Sequence, residues 1–197
     1  MASDVKQRMI EQMVRLLATK GLQGSSFSEV LEASGAPRGS LYHHFPGGKD
    51  ELVIAALDLA AGRAFAHIDS MRGRPAVEVA RGFIGAWRGM LEQTSLQASC
   101  AVMAVTVSAD SQDLRMRTGQ IFCAWRDRLT DALREGDVGG ERARAMAATL
   151  IAACEGAVGM ARAEGSLAAF ELVAREQIAA FEAATSRKGP RTPKAAK

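Results

Sequence analysis

Apolar residues recur every three or four positions along most of the chain, which is the spacing typical of amphipathic α-helices. In the first such stretch Val5, Met9 and Met13 share one face, and charged side chains occupy most of the other. Gly21 follows as a candidate cap at the C-terminal end. The pattern therefore predicts a first helix from about Asp4 to Lys20.

A capping motif predicts where the second helix begins. In the segment 26–29, the Ser26 hydroxyl can accept a hydrogen bond from the Glu29 backbone N–H, while the Glu29 side chain returns to the backbone N–H of Ser26. The helix that follows places Val30 on its inward side and is predicted to end near Ser34.

A sharp turn separates this helix from a short third one. Gly35 can adopt the left-handed conformation that ends a helix, and Pro37 suits the first turn of the next helix because it lacks an N–H. The third helix is predicted from Pro37 to about Phe45, with Leu41 and Phe45 facing inward. Its outward residues are Arg38, Ser40, Tyr42 and His44, with Gly39 and His43 at the margins.

The rest of the chain keeps the helical pattern and shows no strand alternation longer than a few residues. A long helix is predicted from Lys49 to about Met71. The further predicted helices are Val77 to Leu91, Ala98 to Val107, Leu114 to Leu133, Arg142 to Arg162 and Leu167 to Ala184. We therefore expect an all-α protein with a three-helix head (1–48), a helical body (49–185) and a disordered basic tail (186–197).

Composition supports helices but does not by itself indicate a partner. Apolar residues make up 48% of the chain and aromatic residues only 5%, which favours closely packed helices over a sheet. The net charge is +3, but the tail contributes five bases and no acid, so the remainder is at −2. The tail can add nonspecific DNA affinity or simply aid solubility, and we favour solubility.

Other features exclude several classes of protein. The three cysteines, Cys100, Cys123 and Cys154, are odd in number and widely spaced, which suits a reducing cytoplasm and fits no zinc pattern. The apolar run 143–154 contains Arg144 and is too short to span a bilayer, so we expect a cytoplasmic protein without a membrane partner.

Catalytic chemistry finds no support in the sequence. His43 and His44 are adjacent on a predicted helix, so they point about 100° apart and cannot chelate one metal. The stretch 47–49, Gly-Gly-Lys, lacks the remainder of a phosphate-binding loop. We therefore expect no enzymatic activity, no metal and no cofactor.

The segment 26–45 forms a helix, a three-residue turn and a short helix, the arrangement of a helix-turn-helix. Its residues, followed by Gly-Lys-Asp-Glu-Leu at 48–52, resemble the N-terminal signature of the TetR family of transcriptional regulators. The most specific parts are Gly-Ser-Leu-Tyr-His-His-Phe at 39–45 and the Lys-x-x-Leu pattern at 49–52. The resemblance implies an all-α homodimer whose heads bind a palindromic operator and whose bodies hold an effector.

The outward side chains of the third helix have the chemistry that DNA contact requires. Arg38 can present a bidentate fork to guanine, and Ser40 can meet a phosphate or a base edge. Tyr42 and His44 can donate to phosphate oxygens, and Gly39 leaves room for close approach to the groove. The resemblance implies DNA contact for Arg38, Ser40, Tyr42, His44 and Lys49.

Three positions beside this helix complete the predicted DNA-binding set. Lys49 starts the next helix, where a cation and free backbone N–H groups suit a phosphate. Ser26 and Ser28, at the start of the second helix, are expected phosphate or base-edge neighbours. The sequence departs from the family pattern in two places: Pro37-Arg38 replaces the commoner Ser-Lys pair, and the link 46–48 is one residue longer than usual.

Methionine and aromatic residues in the body predict an apolar effector pocket. Such residues at helical spacing also form ordinary cores, so the two interpretations stand side by side. The aromatic pairs are four and three positions apart, which puts each pair on one helix face. The predicted pocket residues are Phe83, Trp87, Met90, Met103, Phe122 and Trp125.

The last two predicted helices are rich in alanine, with Gly156 and Gly159 on the first of them. Small residues permit close approach of helices, and the resemblance implies a dimer interface here, with intramolecular packing as the alternative. We therefore expect a DNA-binding transcriptional repressor that a small apolar effector releases from its operator, and two other functions stay open from the sequence. They are a thiol-based redox-sensing regulator and a helical small-molecule-binding protein that does not bind DNA.

Overall fold

The computed structural model describes residues 2–186, and the side chains from Asp4 onward. All the regular elements in this part of the chain are α-helices. They are α1 (Ala2–Lys20), α2 (Phe27–Ser34), α3 (Arg38–His44), α4 (Lys49–Asp69), α5 (Ala76–Gln93), α6 (Ala101–Thr106), α7 (Gln112–Glu135), α8 (Gly140–Glu164) and α9 (Ala168–Ser186). The predicted all-α fold is confirmed. Ser186 ends α9, and the rest of the predicted tail lies outside the described residues.

The predicted helices correspond to the observed ones, with differences at their ends. Pro37 precedes α3 as its N-cap rather than belonging to its first turn, because its ψ of 141° is extended. The predicted helix from Ala98 is shortened to α6, which starts at Ala101. Cys100 caps it, and Ser99 donates to the Ala18 carbonyl from both its backbone N (2.8 Å) and its Oγ (3.0 Å). Cys100 has an extended backbone, with a ψ of 118°, so α6 begins only after it.

The head is built on side chains from α1, α2 and α3 that pack onto the start of α4. Met13 and Val30 are fully buried, and Phe45 closes the C-terminal end of α3 from the inside. Leu52 continues this core into α4. Complete burial of a side chain of this size contributes about 1.5–3 kcal/mol. One continuous core therefore joins the head to the body.

The body packs α4, α7, α8, α5 and α9 against one another, with ion pairs at the edges. Asp58 and Asp69 of α4 pair with Arg117 (2.6 Å) and Arg128 (2.5 Å) of α7. Arg88 of α5 donates two hydrogen bonds, of 2.6 and 2.8 Å, to Glu171 of α9. These pairs are partly exposed, so each is worth at most about 1 kcal/mol, and apolar burial provides most of the stability.

Helix α8 is the one described helix whose length and composition would suffice to cross a membrane, with a mean hydropathy of 1.2 over its most apolar window. Its apolar character comes largely from alanine. Leu150, Ile151 and Cys154 pack inside the protein. The core helix of a soluble protein can have the same length and apolar composition.

Candidate DNA-binding and ligand-binding sites

The capping box predicted for the second helix is present and fixes the start of α2. Ser26 Oγ accepts the Glu29 N–H at 3.2 Å, and the Glu29 carboxylate accepts the Ser26 N–H at 2.9 Å. Lys20 at the end of α1 pairs with the same carboxylate at 2.6 Å. The bond from Lys20, followed by the bonds from Ser26, lowers the pKa of Glu29 to about 2. At neutral pH the ionised carboxylate therefore ties α2 to α1.

The turn between α2 and α3 sets the angle at which α3 leaves the head. Gly35 has a φ of 65°, the left-handed conformation expected from the sequence, and its N–H donates to the Glu32 carbonyl. Arg8 of α1 donates from Nε to the Ser34 carbonyl at 3.3 Å, so a cation sits at the C-terminal end of α2. Both ends of α2 are thus held by α1.

Helix α3 presents a polar face to solvent. Arg38, Gly39 and Tyr42 are exposed, and 68% of the Tyr42 side chain is accessible. Ser40 is half-buried, and its Oγ donates to the Pro37 carbonyl at 2.6 Å. Three of the predicted contact residues are therefore exposed to solvent, and the hydroxyl of the fourth bonds to the N-cap residue of α3.

The two histidines of α3 are exposed in the opposite order to the prediction. His43 is exposed and His44 is half-buried, whereas the sequence pattern placed His44 outward and His43 at the margin. Leu41 and Phe45 define the inward side, and His43 lies about 200° from Leu41 around the helix. A helical-wheel count from the two inward residues identifies His43 as an outward residue.

The serines at the start of α2 lie beside this face. Ser26 and Ser28 are both exposed. Between them Phe27 packs edge-on against the Tyr42 ring, with centroids 6.1 Å apart. This contact holds one edge of the Tyr42 ring, although most of the residue is accessible to solvent. A methyl group built on Gly39 would meet no atom within 4 Å, so nothing in the protein fills the space in front of α3 there.

Lys49 bonds within the protein. Its Nζ donates to the Leu22 carbonyl at 2.9 Å, and the side chain is half-buried. This bond links the start of α4 to the loop that precedes α2. Two of the three ammonium hydrogens remain for another acceptor. The phosphate contact expected of Lys49 stays a prediction.

Four of the predicted pocket residues have their rings in contact between α5 and α7, and we call this group the aromatic cluster. Its members are Phe83, Trp87, Phe122 and Trp125. The two tryptophan rings are stacked with centroids 5.7 Å apart, and Phe83 and Phe122 lie 5.9 and 6.0 Å from Trp125. Trp125 Nε1 is buried without a hydrogen-bond partner among the described residues. Half-buried Met90 lies on α5, which also carries Phe83 and Trp87.

Met103 lies apart from this cluster. It is on α6 and lines a cleft of about 490 Å³, here called the junction cleft, between the end of α1, α6 and the C-terminal half of α8. Glu155 of α8, which the sequence interpretation passed over, also lines this cleft. The sequence did indicate that Glu155 is unusual, because this acid directly follows the apolar run that ends at Cys154.

Burial controls the chemistry of Glu155 and of two cysteines. Burial raises the pKa of Glu155 to about 7, although a hydrogen bond from Cys100 opposes the shift. Burial also raises the pKa of the Cys100 thiol well above its ordinary value and that of Cys154 to about 12. Both thiols are protonated at neutral pH, which makes them poor nucleophiles. Cys123 is exposed.

Within residues 2–186, no group of three or more His, Cys, Asp or Glu side chains is arranged to hold a metal ion. The two adjacent rings of His43 and His44 lie edge to face, with centroids 5.0 Å apart.

Comparisons with known proteins agree with this architecture. Residues 10–56 match the family described as bacterial regulatory proteins, tetR family, and residues 76–176 match the transcriptional regulator LmrA/YxaF-like C-terminal domain. The chain is 33% identical over 178 residues to the HTH-type transcriptional regulator Rv0196 of Mycobacterium tuberculosis, covering 87% of this chain and 91% of that protein. It is 27% identical over 165 residues to the HTH-type transcriptional regulator LmrA of Bacillus subtilis, covering 79% of this chain and 85% of that protein.

Solved structures share the fold. A TetR family transcriptional regulator from Agrobacterium tumefaciens superimposes with a TM-score of 0.80 at 24% identity, covering 94% of this chain and all of that one. A regulatory protein TetR from Rhodobacter sphaeroides superimposes with a TM-score of 0.79 at 20% identity, covering 88% of this chain and 96% of that one. At this level of identity the likeness concerns the arrangement of helices alone.

Proposed function

Since this chain belongs to the TetR family of bacterial transcriptional regulators, we propose that it is a cytoplasmic repressor that binds a palindromic operator as a homodimer. The observation that carries the proposal is the solvent-facing side of α3, with Arg38 and Tyr42 exposed beside the close-approach position Gly39. A short helix with a bidentate donor at its start matches the dimensions and the acceptors of the major groove.

The other polar residues of the head extend this surface toward the phosphate backbone. Ser26 and Ser28 are exposed beside Tyr42, and the imidazoles of His43 and His44 lie at the end of α3. Lys49 can contribute to phosphate binding through its remaining ammonium hydrogens. In this arrangement Arg38 reads base edges and the remaining residues position the helix.

The proposed dimerisation through α8 and α9 is supported by the residues that these helices leave uncovered. Gly156, Gly159 and Met160 of α8 are exposed, as is Leu172 of α9, of which 57% is accessible. Small residues allow a second pair of helices to approach closely. Two heads held this way enter successive major grooves about 34–36 Å apart on the operator.

Release of DNA is proposed to follow binding of a small apolar effector in the aromatic cluster. The buried Trp125 N–H without a partner supports this, because a ligand acceptor that reached it would satisfy a costly orphan donor. An effector acts only if it binds the DNA-incompetent conformer more tightly. A coupling free energy of about 1–3 kcal/mol weakens DNA binding by roughly 5–150-fold.

Operator binding is tested by fluorescence anisotropy with DNA that flanks the gene, at two salt concentrations. We expect specific, salt-sensitive binding, and we expect Arg38→Ala to weaken it by about 1–3 kcal/mol. The double variant Arg38→Ala with Tyr42→Ala should abolish it. Arg74→Ala removes the same charge at an exposed arginine beyond the C-terminal end of α4, far from α3 and outside the proposed dimer interface, and serves as the control. If the double variant binds like the unaltered protein, the assignment of α3 is wrong.

The effector proposal is tested with a panel of planar apolar compounds. Trp87 and Trp125 are the two tryptophans of the chain and both belong to the aromatic cluster, so their fluorescence reports binding directly. A true effector should quench this fluorescence, raise the melting temperature and release the operator. The proposal fails if no compound changes any of the three.

A further inference from the structure

The junction cleft lies where the head meets the body, away from the aromatic cluster. Its walls are the last residues of α1 and the loop after it, α6, and the C-terminal half of α8. A volume of about 490 Å³ falls within the roughly 300–1,000 Å³ typical of small-molecule sites. Val158 and Cys100 are buried in its wall and half-buried Met103 lies beside them, so much of the lining is apolar.

A carboxyl group lies in this apolar lining with one oxygen unused. Glu155 Oε1 is buried and has no hydrogen-bond partner among the described residues. The Cys100 thiol lines the same cleft, and its sulfur accepts the Met103 N–H at 3.4 Å. A buried carboxylate oxygen without a donor is costly, and a ligand that brings a donor removes this cost.

We propose that the junction cleft binds a small organic cation, a protonated amine on an apolar body, whose ammonium group pairs with Glu155. Its apolar part would lie against Met103 and Val158. This site is separate from the aromatic cluster, and the proposal does not depend on whether the protein is a repressor.

Two cations, Lys20 and Arg162, also line the cleft, and neither opposes a cationic ligand strongly. Lys20 is paired with Glu29 at 2.6 Å. Arg162 is exposed, so solvent and salt screen its charge. Besides Glu155 and these two cations, Cys100 is the remaining titratable group in the lining, and burial keeps its thiol protonated. Glu155 is thus the group whose charge decides between a cationic and a neutral ligand.

The test compares two probes that differ only in charge, 4-phenylbutylamine and 4-phenylbutanol, by isothermal titration calorimetry on the full-length protein without DNA. At about pH 8, where Glu155 is ionised, we expect the amine to bind about tenfold more tightly, the factor typical of one charge-assisted hydrogen bond. Glu155→Gln should remove this preference. Glu141→Gln, an exposed acid on the same helix, should retain it.

A second measurement uses the unaltered protein alone. Amine affinity should fall severalfold between about pH 8 and about pH 6, as Glu155 takes up a proton, while the affinity of the alcohol stays constant. This arm remains decisive if the Glu155→Gln variant does not fold. Equal binding of the two probes, an unchanged preference in Glu155→Gln, or no binding of the amine would each overturn the proposal.

Discussion

At the scale of single residues, the protein places two carboxylates in opposite environments. Glu29 lies at a helix start among donors, and the bond from Lys20 lowers its pKa to about 2. Glu155 lies in the junction cleft, where burial raises its pKa to about 7. The ionised form of Glu29 stabilises the fold, whereas the ionised form of Glu155 destabilises it, although both are glutamates on helices.

The raised pKa of Glu155 predicts how stability depends on pH. The folded state holds the proton up to about pH 7, whereas the unfolded chain releases it near 4.5, so the free energy of unfolding should fall as the pH rises between these values. The slope from this group is at most about 1.4 kcal/mol per pH unit. Denaturant titrations should show a shallower dependence in Glu155→Gln.

The exposed acid Glu141 provides the matched comparison, since Glu141→Gln changes the same charge on the same helix. Its pH dependence should follow that of the unaltered protein. A Glu155→Gln variant with an unchanged slope between about pH 4.5 and pH 7 would show that burial does not shift this group.

At the scale of elements, α7 connects most of the body. It carries Phe122 and Trp125 of the aromatic cluster on one side and the ion pairs with α4 on another. Its C-terminal end abuts the start of α5, where the Ala76 N–H donates to the Gly136 carbonyl at 3.1 Å. An effector that separates the aromatic rings would therefore move α5 against α7, and α7 is bound to α4.

The end of α7 provides a prediction about packing. A methyl group on Gly136 would lie 2.5 Å from Ala76 N and 2.6 Å from the Arg74 carbonyl oxygen, which are backbone atoms that cannot turn aside. We expect Gly136→Ala to lower the free energy of unfolding by about 1–3 kcal/mol in denaturant titrations. Gly119→Ala, an exposed position on the same helix with no atom within 4 Å, should be neutral or stabilising by up to about 1 kcal/mol.

At the scale of the whole molecule, the head is bonded to the body through the ends of α1 and α6. The Ser99 N–H and Oγ donate to the Ala18 carbonyl, and Gln23 Nε2 donates to the Ser108 carbonyl at 3.4 Å. The junction cleft lies between these bonds and α8. A ligand there would contact the loop that leads into α2, so it could change the position of α2 in the head directly.

The assembly proposed for the whole molecule predicts which exposed apolar residue matters. Leu172→Glu on α9 should dissociate the dimer, because it places a charge in the proposed interface, and operator affinity should fall with it. Met116→Glu on α7 changes a residue of similar exposure, 51% against 57%, outside that interface and should have neither effect. Analytical ultracentrifugation gives the oligomeric state, and a Leu172→Glu protein that remains dimeric would place the interface elsewhere.

The sequence by itself determined the features that depend on residues close together in the chain. The capping box of Ser26 and Glu29, the left-handed Gly35 and the inward pair Leu41 and Phe45 are each local, and the structure contains all of them. The family signature lies in the same segment. Hydrogen bonds and helical periodicity over a few residues carry enough information to predict these elements.

Only the tertiary structure decided which distant residues meet. It brought Phe83, Trp87, Phe122 and Trp125 into one cluster and placed Met103 in the lining of the junction cleft. Lys49 bonds to the Leu22 carbonyl, and Glu155 of α8 lines the same cleft as Cys100, the N-cap residue of α6. The physical reason is that burial and partners are set by how helices pack, and periodicity identifies the buried face of a helix without naming its neighbour.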